Sequence, residues 1–229
     1  MISRAVYILA GPTASGKSSI AAALARETGA RILNADSMLV YKGMDIGTAK
    51  PSKEEIAEFG MGGVDLVTPA EEFSAGEWLR RAGRWIASVP EGVPVVVTGG
   101  TGLYFSSLLR GLDRAWTKPP PEYPVLKTDR SVLRARIRAR LDAMVAAGLE
   151  DERRRLKAEY PAFSRTAALA IGYREGDDFE KIFVRTCRLA KRQDTWFRHQ
   201  ASAIYVEPTA DAVRECWRAR GPWQAFFPG

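Results

Sequence analysis

The chain has 229 residues, of which 46% are hydrophobic, and this fits one α/β domain with a substantial core. Its two distant cysteines and single histidine exclude a disulfide framework and a His-rich metal site. No apolar run approaches the roughly 20 residues of a membrane span. The first predicted strand follows Met1–Arg4 directly, so we expect a cytoplasmic protein with no signal peptide and no membrane partner.

In chain order, the first half of the sequence alternates strands with helices. The helix at 74–87 begins with a capping-box spacing, and the β-branched run at 93–98 is typical of a buried parallel strand. This rhythm predicts an α/β fold with a P-loop NTPase-like doubly wound parallel sheet and helices on both faces. The predicted strands cover residues 5–10, 31–34 and 93–98, and the predicted helices cover 17–28, 74–87 and 103–109.

The second half is helical and basic. Four prolines at 118–124 predict a stiff, non-helical connection. After a strand at 125–128, a long basic helix is predicted over 130–157, with an apolar stripe made of Leu133, Ile137, Leu141, Met144 and Val145. Further predicted elements are a helix at 179–199, a strand at 203–206 and a helix at 210–220.

We therefore expect one domain over residues 1–229. Residues 1–112 form its phosphate-binding half, 119–124 the proline-rich connection, and 125–229 the basic helical half that completes the fold.

The net charge of +7 comes entirely from the second half. Residues 130–200 hold 17 Lys and Arg against 10 Asp and Glu, whereas the rest of the chain holds 17 of each sign. A localised basic surface is typical of proteins that bind a polyanion such as nucleic acid. By charge alone, solvated helix faces explain the pattern equally well.

A glycine-rich loop links the first strand to the first helix and has the G-x-x-x-x-G-K-[ST] spacing. Its glycines let successive backbone N–H groups point at a phosphate, and the helix N-terminus adds a favourable dipole. Lys17 supplies a positive charge, and the Ser18 hydroxyl is a candidate ligand for Mg²⁺. The predicted phosphate ligands are Gly11, Pro12, Thr13, Ala14, Ser15, Gly16, Lys17 and Ser18.

Two further groups are expected in the same cleft. Asp36 follows the second strand, where a carboxylate can act as a general base or hold Mg²⁺. The third strand ends in Thr98-Gly-Gly-Thr101 with no acidic residue, which argues against a motor or switch NTPase. Glycines at 99, 100 and 102 would let a ligand approach the backbone closely, and Thr101 offers a hydroxyl beside it.

Basic side chains at helical spacing complete the candidate site. Arg136 and Arg140 lie four residues apart and could clamp a diphosphate. In the helix at 179–199, basic residues are interleaved with Trp196 and Phe197, a composition that suits phosphate contacts and base stacking. The basic residues concerned are Arg188, Lys191, Arg192 and Arg198.

Five segments together resemble the tRNA dimethylallyltransferases, also called tRNA isopentenyltransferases. They occur in the family's order from end to end, and the second is long and distinctive. The segments are GPTASGKS at 11–18, ADSMLVYKGMDIGTAKP at 35–51, TGGTGLY at 98–104, AIGYRE at 170–175 and AKRQDTWFR at 190–198.

The resemblance implies transfer of a dimethylallyl group from dimethylallyl diphosphate to N6 of adenosine 37 in the tRNA anticodon loop. The glycine-rich loop would then cradle the diphosphate leaving group with Mg²⁺. The implied catalytic residues are Asp36 as general base, the active-site Thr101, Lys17, and Arg140 in the family's R-x-x-x-R helix. The implied tRNA contacts are Asp36, Ser37, Met38, Leu39, Gly172, Tyr173, Arg174, Lys191, Arg192 and Arg198.

The chain departs from the family's pattern in two ways. A helical insertion domain that grips the anticodon stem in most bacterial members is missing after Gly111-Leu112, and the connection at 119–124 replaces it. The family's His-His-Leu-Ile-Asp segment reads Gly62-Gly-Val-Asp-Leu66. These departures affect tRNA affinity more than chemistry, and we expect a monomer.

Three other functions fit parts of the sequence. An isopentenyltransferase acting on free AMP fits because related cytokinin-forming enzymes also lack the insertion. A small-molecule P-loop kinase would use Asp36 as base and Arg136 with Arg140 as an ATP lid. An RNA-binding remnant would bind tRNA without turnover, which fits poorly with an intact loop and Asp36.

Overall fold

The computed structural model describes residues 4–110 and 120–224. The strands β1 to β6 are Ala5–Ala10, Arg31–Ala35, Val95–Gly99, Tyr123–Leu126, Ala203–Val206 and Trp223–Gln224. The helices α1 to α8 are Lys17–Thr28, Lys53–Glu58, Ala75–Ser88, Gly102–Arg110, Arg130–Ala146, Leu149–Glu159, Phe179–Arg198 and Ala210–Arg220. A 3₁₀ turn spans Ala167–Leu169.

Five parallel strands form the sheet in the order β2-β3-β1-β4-β5, and β6 adds to β1 in the antiparallel sense. The order reverses direction at β1, which confirms the predicted doubly wound architecture. In such sheets ligands bind outside the carboxyl ends of the strands. The loops after β1, β2 and β3 all lie at that edge.

Helices cover both faces of the sheet. On one face, Ile8 and Val97 pack under α3 and α4 with Phe197 of α7. On the other face, Leu9 and Val96 pack under α1 and α8. A third apolar cluster joins α5, α6 and α7 to the glycine-rich loop, through residues such as Ile137, Leu149, Ile182 and Ala14. This third cluster fixes the basic helices beside the carboxyl edge of the sheet.

The predicted helix over 130–157 is wrong as one element. It ends at Ala146, and α6 begins at Leu149, because Gly148 has φ of 94° and terminates the first helix. Of the predicted apolar stripe, Leu133, Ile137 and Leu141 are buried, Met144 is half-buried and Val145 is exposed.

The proline-rich connection differs from the prediction at its end. Residues 111–119 lie outside the described part of the chain. Tyr123 and Pro124 belong to β4, which ends at Leu126, so the strand begins earlier than predicted.

The short helix α2 is an element that the sequence pattern does not predict. A complete capping box at Ser52 starts it. In the residues that the structure describes, no helix is long and apolar enough to cross a membrane.

The break between α5 and α6 aims a buried carboxylate at the segment 35–51. Glu152 accepts hydrogen bonds from the backbone N–H groups of Asp45, Ile46 and Gly47, at 3.0, 2.8 and 3.1 Å. It also accepts one from the Tyr173 hydroxyl at 2.6 Å. Burial and the neighbouring Glu152 carboxylate raise the pKa of Tyr173. One side chain of α6 thus anchors two of the five sequence segments that carry the family resemblance.

Lys50 holds the far end of the same segment. Its ammonium group is almost fully buried and lies 2.7 Å from Asp45 and 2.6 Å from Asp65, while it donates to the Tyr41 carbonyl at 2.6 Å. Gly47 lies against the Tyr173 ring, where an added Cβ would approach within 2.6 Å. The segment is therefore fixed by charge and close packing rather than by regular secondary structure.

We expect Glu152→Ala to lower the free energy of unfolding by about 3 kcal/mol, because several donors lose their acceptor together. Urea denaturation followed by circular dichroism measures the change. Glu150→Ala is the control, since Glu150 is exposed on the same helix and has only a 3.9 Å ion pair with Arg154. It should change stability by less than about 0.5 kcal/mol. Equal stability of the two variants would contradict the anchoring role.

Candidate active site

The glycine-rich loop is shaped by two residues in left-handed backbone conformation. Ala14 has φ of 64° and Gly16 has φ of 96°, and α1 begins at the next residue, Lys17. The Lys17 ammonium donates to the Pro12 carbonyl at 3.3 Å. Burial lowers the pKa of Lys17 to about 8, an effect that the Asp36 carboxylate opposes and the Arg140 guanidinium reinforces. Lys17 is therefore close enough to Asp36 and Arg140 for their charges to act on it, and two neighbouring cations suit the binding of an anion.

Two arginine side chains of α5 contact this loop. Arg136 donates to the Ser15 carbonyl at 3.1 Å and to the Ala14 carbonyl at 3.4 Å. The hypothesis that Arg136 clamps a diphosphate is thus not supported by its geometry, because it binds the loop backbone. Arg140 instead donates to the Thr13 hydroxyl at 3.3 Å and faces the main cavity.

Asp36 lies directly after β2 in a tight local network. Its backbone N–H donates to the Asn34 side-chain oxygen at 3.0 Å, and its Oδ1 accepts from the Met38 N–H at 3.0 Å. The Thr101 hydroxyl accepts from the Ser37 N–H at 2.9 Å and donates to the Ser37 hydroxyl at 3.2 Å. The turn after β3 therefore supports the turn that carries Asp36.

A cavity of about 300 Å³ brings these groups together. The loop contributes Thr13, the turns after β2 and β3 contribute Asp36 and Thr101, and α5 contributes Arg140. The remaining wall is mostly apolar. It includes Ile137, Leu141, Met144, Leu149, Ile171 and Ile182. The cavity can thus hold a molecule with an anionic end and a short apolar part, beside a carboxylate.

The glycines at the end of β3 and in the turn after it serve packing, which differs from the expectation that they admit a ligand. A Cβ at Gly99 would lie 2.3 Å from the Ala35 backbone. At Gly100 it would lie 2.4 Å from the Gln193 amide, and at Gly102 2.5 Å from the Trp196 ring. Glycine is needed here because α7 and β2 approach the turn so closely.

The predicted tRNA contacts differ in their exposure. Ser37, Met38 and Leu39 are half-buried at the cavity side of the sheet, and Ser37 and Met38 line the cavity. Gly172 also lines it but is buried, and Tyr173 is buried with its hydroxyl bound to Glu152. Arg174 is exposed, as are Lys191, Arg192 and Arg198. Tyr173 therefore supports the site from inside rather than facing a partner.

A second, open groove lies along α7. It is lined by Arg188, Lys191, Arg192, Thr195, Trp196 and His199. Arg192 lines both this groove and the main cavity, so the two are adjacent. Arg198 lies outside the groove and pairs with Asp194 at 3.0 Å.

The side chains of this site that could bind a metal ion would do so through oxygen atoms. Within residues 4–110 and 120–224, no group of three or more His, Cys, Asp or Glu side chains could hold a metal. The Ser18 hydroxyl is exposed at the start of α1. The buried hydroxyls of Ser15 and Thr98 have no hydrogen-bond partner among the described residues. Hydroxyl oxygens combined with phosphate oxygens suit Mg²⁺, which usually binds through substrate phosphates with few protein ligands.

Sequence reasoning missed two residues of this arrangement. Glu152 and Gln193 each organise a backbone segment through side-chain hydrogen bonds. Gln193 lies in the segment 190–198 that carries the family resemblance, but the sequence assigns it no role. The sequence pattern predicts that a carboxylate in a basic helix is exposed, so only the fold reveals that Glu152 is an anchor.

Comparison with known proteins agrees with this geometry. The family model described as IPP transferase matches residues 39–125 and 115–200, and that described as isopentenyl transferase matches residues 4–60. A tRNA dimethylallyltransferase from Stenotrophomonas maltophilia is 32% identical over 293 residues, covering 89% of this chain and 92% of the relative. One from Geobacter metallireducens is 32% identical over 285 residues, with coverages of 88% and 92%.

Solved structures show the same likeness. The tRNA isopentenylpyrophosphate transferase of Bacillus halodurans superposes with a TM-score of 0.81 at 26% identity, over 94% of this chain and 95% of that one. A eukaryotic dimethylallyltransferase acting on tRNA shares the fold, with a TM-score of 0.78 at 19% identity, over 95% of this chain and 76% of that one. By sequence and by structure, the chain belongs to the tRNA dimethylallyltransferase family, the IPP transferases.

Proposed function

We propose that this chain transfers a dimethylallyl group from dimethylallyl diphosphate to N6 of adenosine 37 in tRNA. The observation that carries the proposal is one cavity that is lined by Thr13 of the glycine-rich loop, Arg140, Asp36 and Thr101. The apolar wall formed by α5, α6 and α7 suits a five-carbon group between them. Family membership supports the same reaction.

The reaction requires one bond to break and one to form. The C–O bond to the diphosphate breaks, and the leaving group takes both electrons. Lys17, the loop amides from Ala14 to Ser18, and Arg140 stabilise the negative charge that develops there. The N6 amine attacks the same carbon, and Asp36 accepts the proton that the amine loses. Thr101 keeps the Asp36 turn in place through Ser37.

Mg²⁺ is the cofactor that fits this donor set. Ser18 and the diphosphate oxygens would hold it, and the buried hydroxyls of Ser15 and Thr98 could bind the ligand or its waters. The ion would neutralise charge on the leaving diphosphate.

The acceptor adenosine must leave the stacked anticodon loop to reach this cavity. We propose that Asp36, Ser37, Met38, Leu39 and Gly172 surround the extruded base at the cavity. Arg174 and the α7 residues Lys191, Arg192 and Arg198 would bind the flanking RNA backbone. The adjacent groove on α7 offers Trp196 as a surface for stacking. The partner is thus the anticodon loop of tRNA, bound by a cytoplasmic monomer.

We further propose that the chain is a short member of the family, a single domain over residues 1–229. Its half 1–112 binds the diphosphate, and the connection 119–124 replaces the insertion before the half 125–229. The alignment with the Stenotrophomonas enzyme runs over 293 residues, more than this chain's 229, so the relative has sequence without a counterpart here. The family model also matches in two pieces that meet at residues 115–125.

The same shortness favours a second candidate, transfer to a free adenine nucleotide such as AMP. Loss of the insertion removes RNA-binding surface but leaves the cavity intact. The basic groove beside the cavity favours tRNA over AMP, because a mononucleotide does not need it.

The two acceptors are separated by one product assay. Purified protein with dimethylallyl diphosphate and Mg²⁺ receives either unmodified tRNA or AMP, and nucleosides are analysed by mass spectrometry after digestion. We expect N6-dimethylallyladenosine from tRNA and none from AMP. If product forms from AMP alone, AMP and not tRNA is the acceptor. If neither acceptor gives product, prenyl transfer is refuted.

Asp36→Asn should lower turnover by about 10²–10⁴-fold, because the amide cannot accept the N6 proton. The amide oxygen can still accept from the Met38 N–H, so the local turn is kept. Turnover is measured with saturating tRNA, and pyrophosphate binding by calorimetry serves as the control for an intact loop. Turnover near that of the native protein would remove Asp36 as the base.

Arg192→Glu should weaken tRNA binding and make it less dependent on salt, because fewer counterions are released. Binding is measured by filter retention at several salt concentrations. Arg218→Glu is the control with the same charge change, since Arg218 is exposed on α8, which packs on the face of the sheet opposite α7. Identical salt slopes for the two variants would remove the α7 groove from the interface.

A further inference from the structure

Gln193 bridges the two halves of the site with both ends of its side-chain amide. Its Oε1 accepts from the backbone N–H of Thr13 at 2.8 Å. Its Nε2 donates to the backbone carbonyl of Gly100 at 3.0 Å. The residue lies in the C-terminal half of α7, far from both partners in sequence, and it lines the main cavity.

On the leaving-group side, the bridge completes a set of contacts by which side chains of α5 and α7 hold the loop. Arg136 occupies the Ala14 and Ser15 carbonyls, and Arg140 binds the Thr13 hydroxyl. Gln193 accepts from the Thr13 N–H, so three consecutive residues of the loop, Thr13 to Ser15, are held by side chains of α5 and α7. The loop is thereby oriented before any ligand arrives, which is how preorganised anion sites gain strength.

On the acceptor side, the bridge reaches the Asp36 turn through one more step. Gly100 precedes Thr101, whose hydroxyl accepts from the N–H of Ser37 beside Asp36. Hydrogen bonds and the peptide link between Gly100 and Thr101 therefore connect the glycine-rich loop to the turn that carries Asp36, and Gln193 is the central link. The approach is close enough that a Cβ at Gly100 would lie 2.4 Å from the Gln193 amide.

We propose that Gln193 is a positioning residue. It sets the distance between the diphosphate leaving group, held by the glycine-rich loop, and the adenine that accepts the prenyl group beside Asp36. The inference rests on the proposed prenyl transfer. In such a displacement the reacting atoms must meet at about 3–3.5 Å, and a misplacement of about 1 Å costs about 10²-fold in rate. A carboxamide is suited to the task because it both donates and accepts at fixed geometry.

Two substitutions separate the bridge from simple packing. Gln193→Met keeps the length of the side chain and removes both hydrogen bonds. Gln193→Glu keeps the acceptor for the Thr13 N–H, but an ionised carboxylate cannot donate to the Gly100 carbonyl. Val184→Ala is the control, because Val184 is 40% exposed on the same helix and contributes to neither the loop nor the turn.

The experiment measures the single-turnover rate of tRNA prenylation, the KM for tRNA and the melting temperature for each variant. Both Gln193 variants should lose about 10²-fold in rate, with KM for tRNA within threefold of native and the control unchanged. If Gln193→Met does not fold, Gln193→Glu alone decides the result.

A folded variant with a rate within threefold of native would overturn the inference. So would a loss of rate accompanied by an equal loss of tRNA affinity, because that pattern indicates general damage to the site. Failure of the native protein to prenylate tRNA would refute the proposed function instead, so the two failures are distinguishable.

Discussion

The close approach of α7 to the carboxyl edge of the sheet is the constraint on which the site depends. It is possible only because residues 100 and 102 lack side chains, so that Gln193 and Trp196 can lie against the backbone. Once α7 is in this position, it supplies the bridge between two loops, one wall of the cavity and the basic groove beside it. The proposed leaving-group site and the proposed RNA-binding groove therefore depend on the same helix.

The site is built mainly by side chains that bind backbone. Glu152 holds three consecutive N–H groups, Arg136 holds two carbonyls, and Gln193 holds one of each. Loops that carry catalytic groups cannot rely on regular ladders for support, so side chains from rigid helices replace them. This explains why a segment with little secondary structure, residues 36–51, still has a defined shape.

Positively charged side chains lie in two places near the site, at the cavity and along the open groove on α7. Arg140 lines the cavity, and the charges of Asp36 and Arg140 both act on Lys17. Arg188, Lys191 and Arg192 line the open groove outside. The charges at the cavity suit the proposed diphosphate leaving group, whereas the exposed charges along the groove suit the proposed polyanion in high-dielectric surroundings. Under the proposed function, the basic half of the sequence contributes charge to the cavity through Arg140 and to the groove through α7.

Local pattern determined much of this protein. The spacing around Lys17, the strand ends before Asp36 and Thr101, and the alternation of elements predicted the sheet and the cleft, because each depends on neighbours in sequence. The roles of Arg136, Glu152 and Gln193, and the reason for glycine at 99, 100 and 102, were decided by tertiary structure alone. These residues act on backbone that is distant in sequence, and only packing of α5, α6 and α7 against the sheet brings them within hydrogen-bond reach.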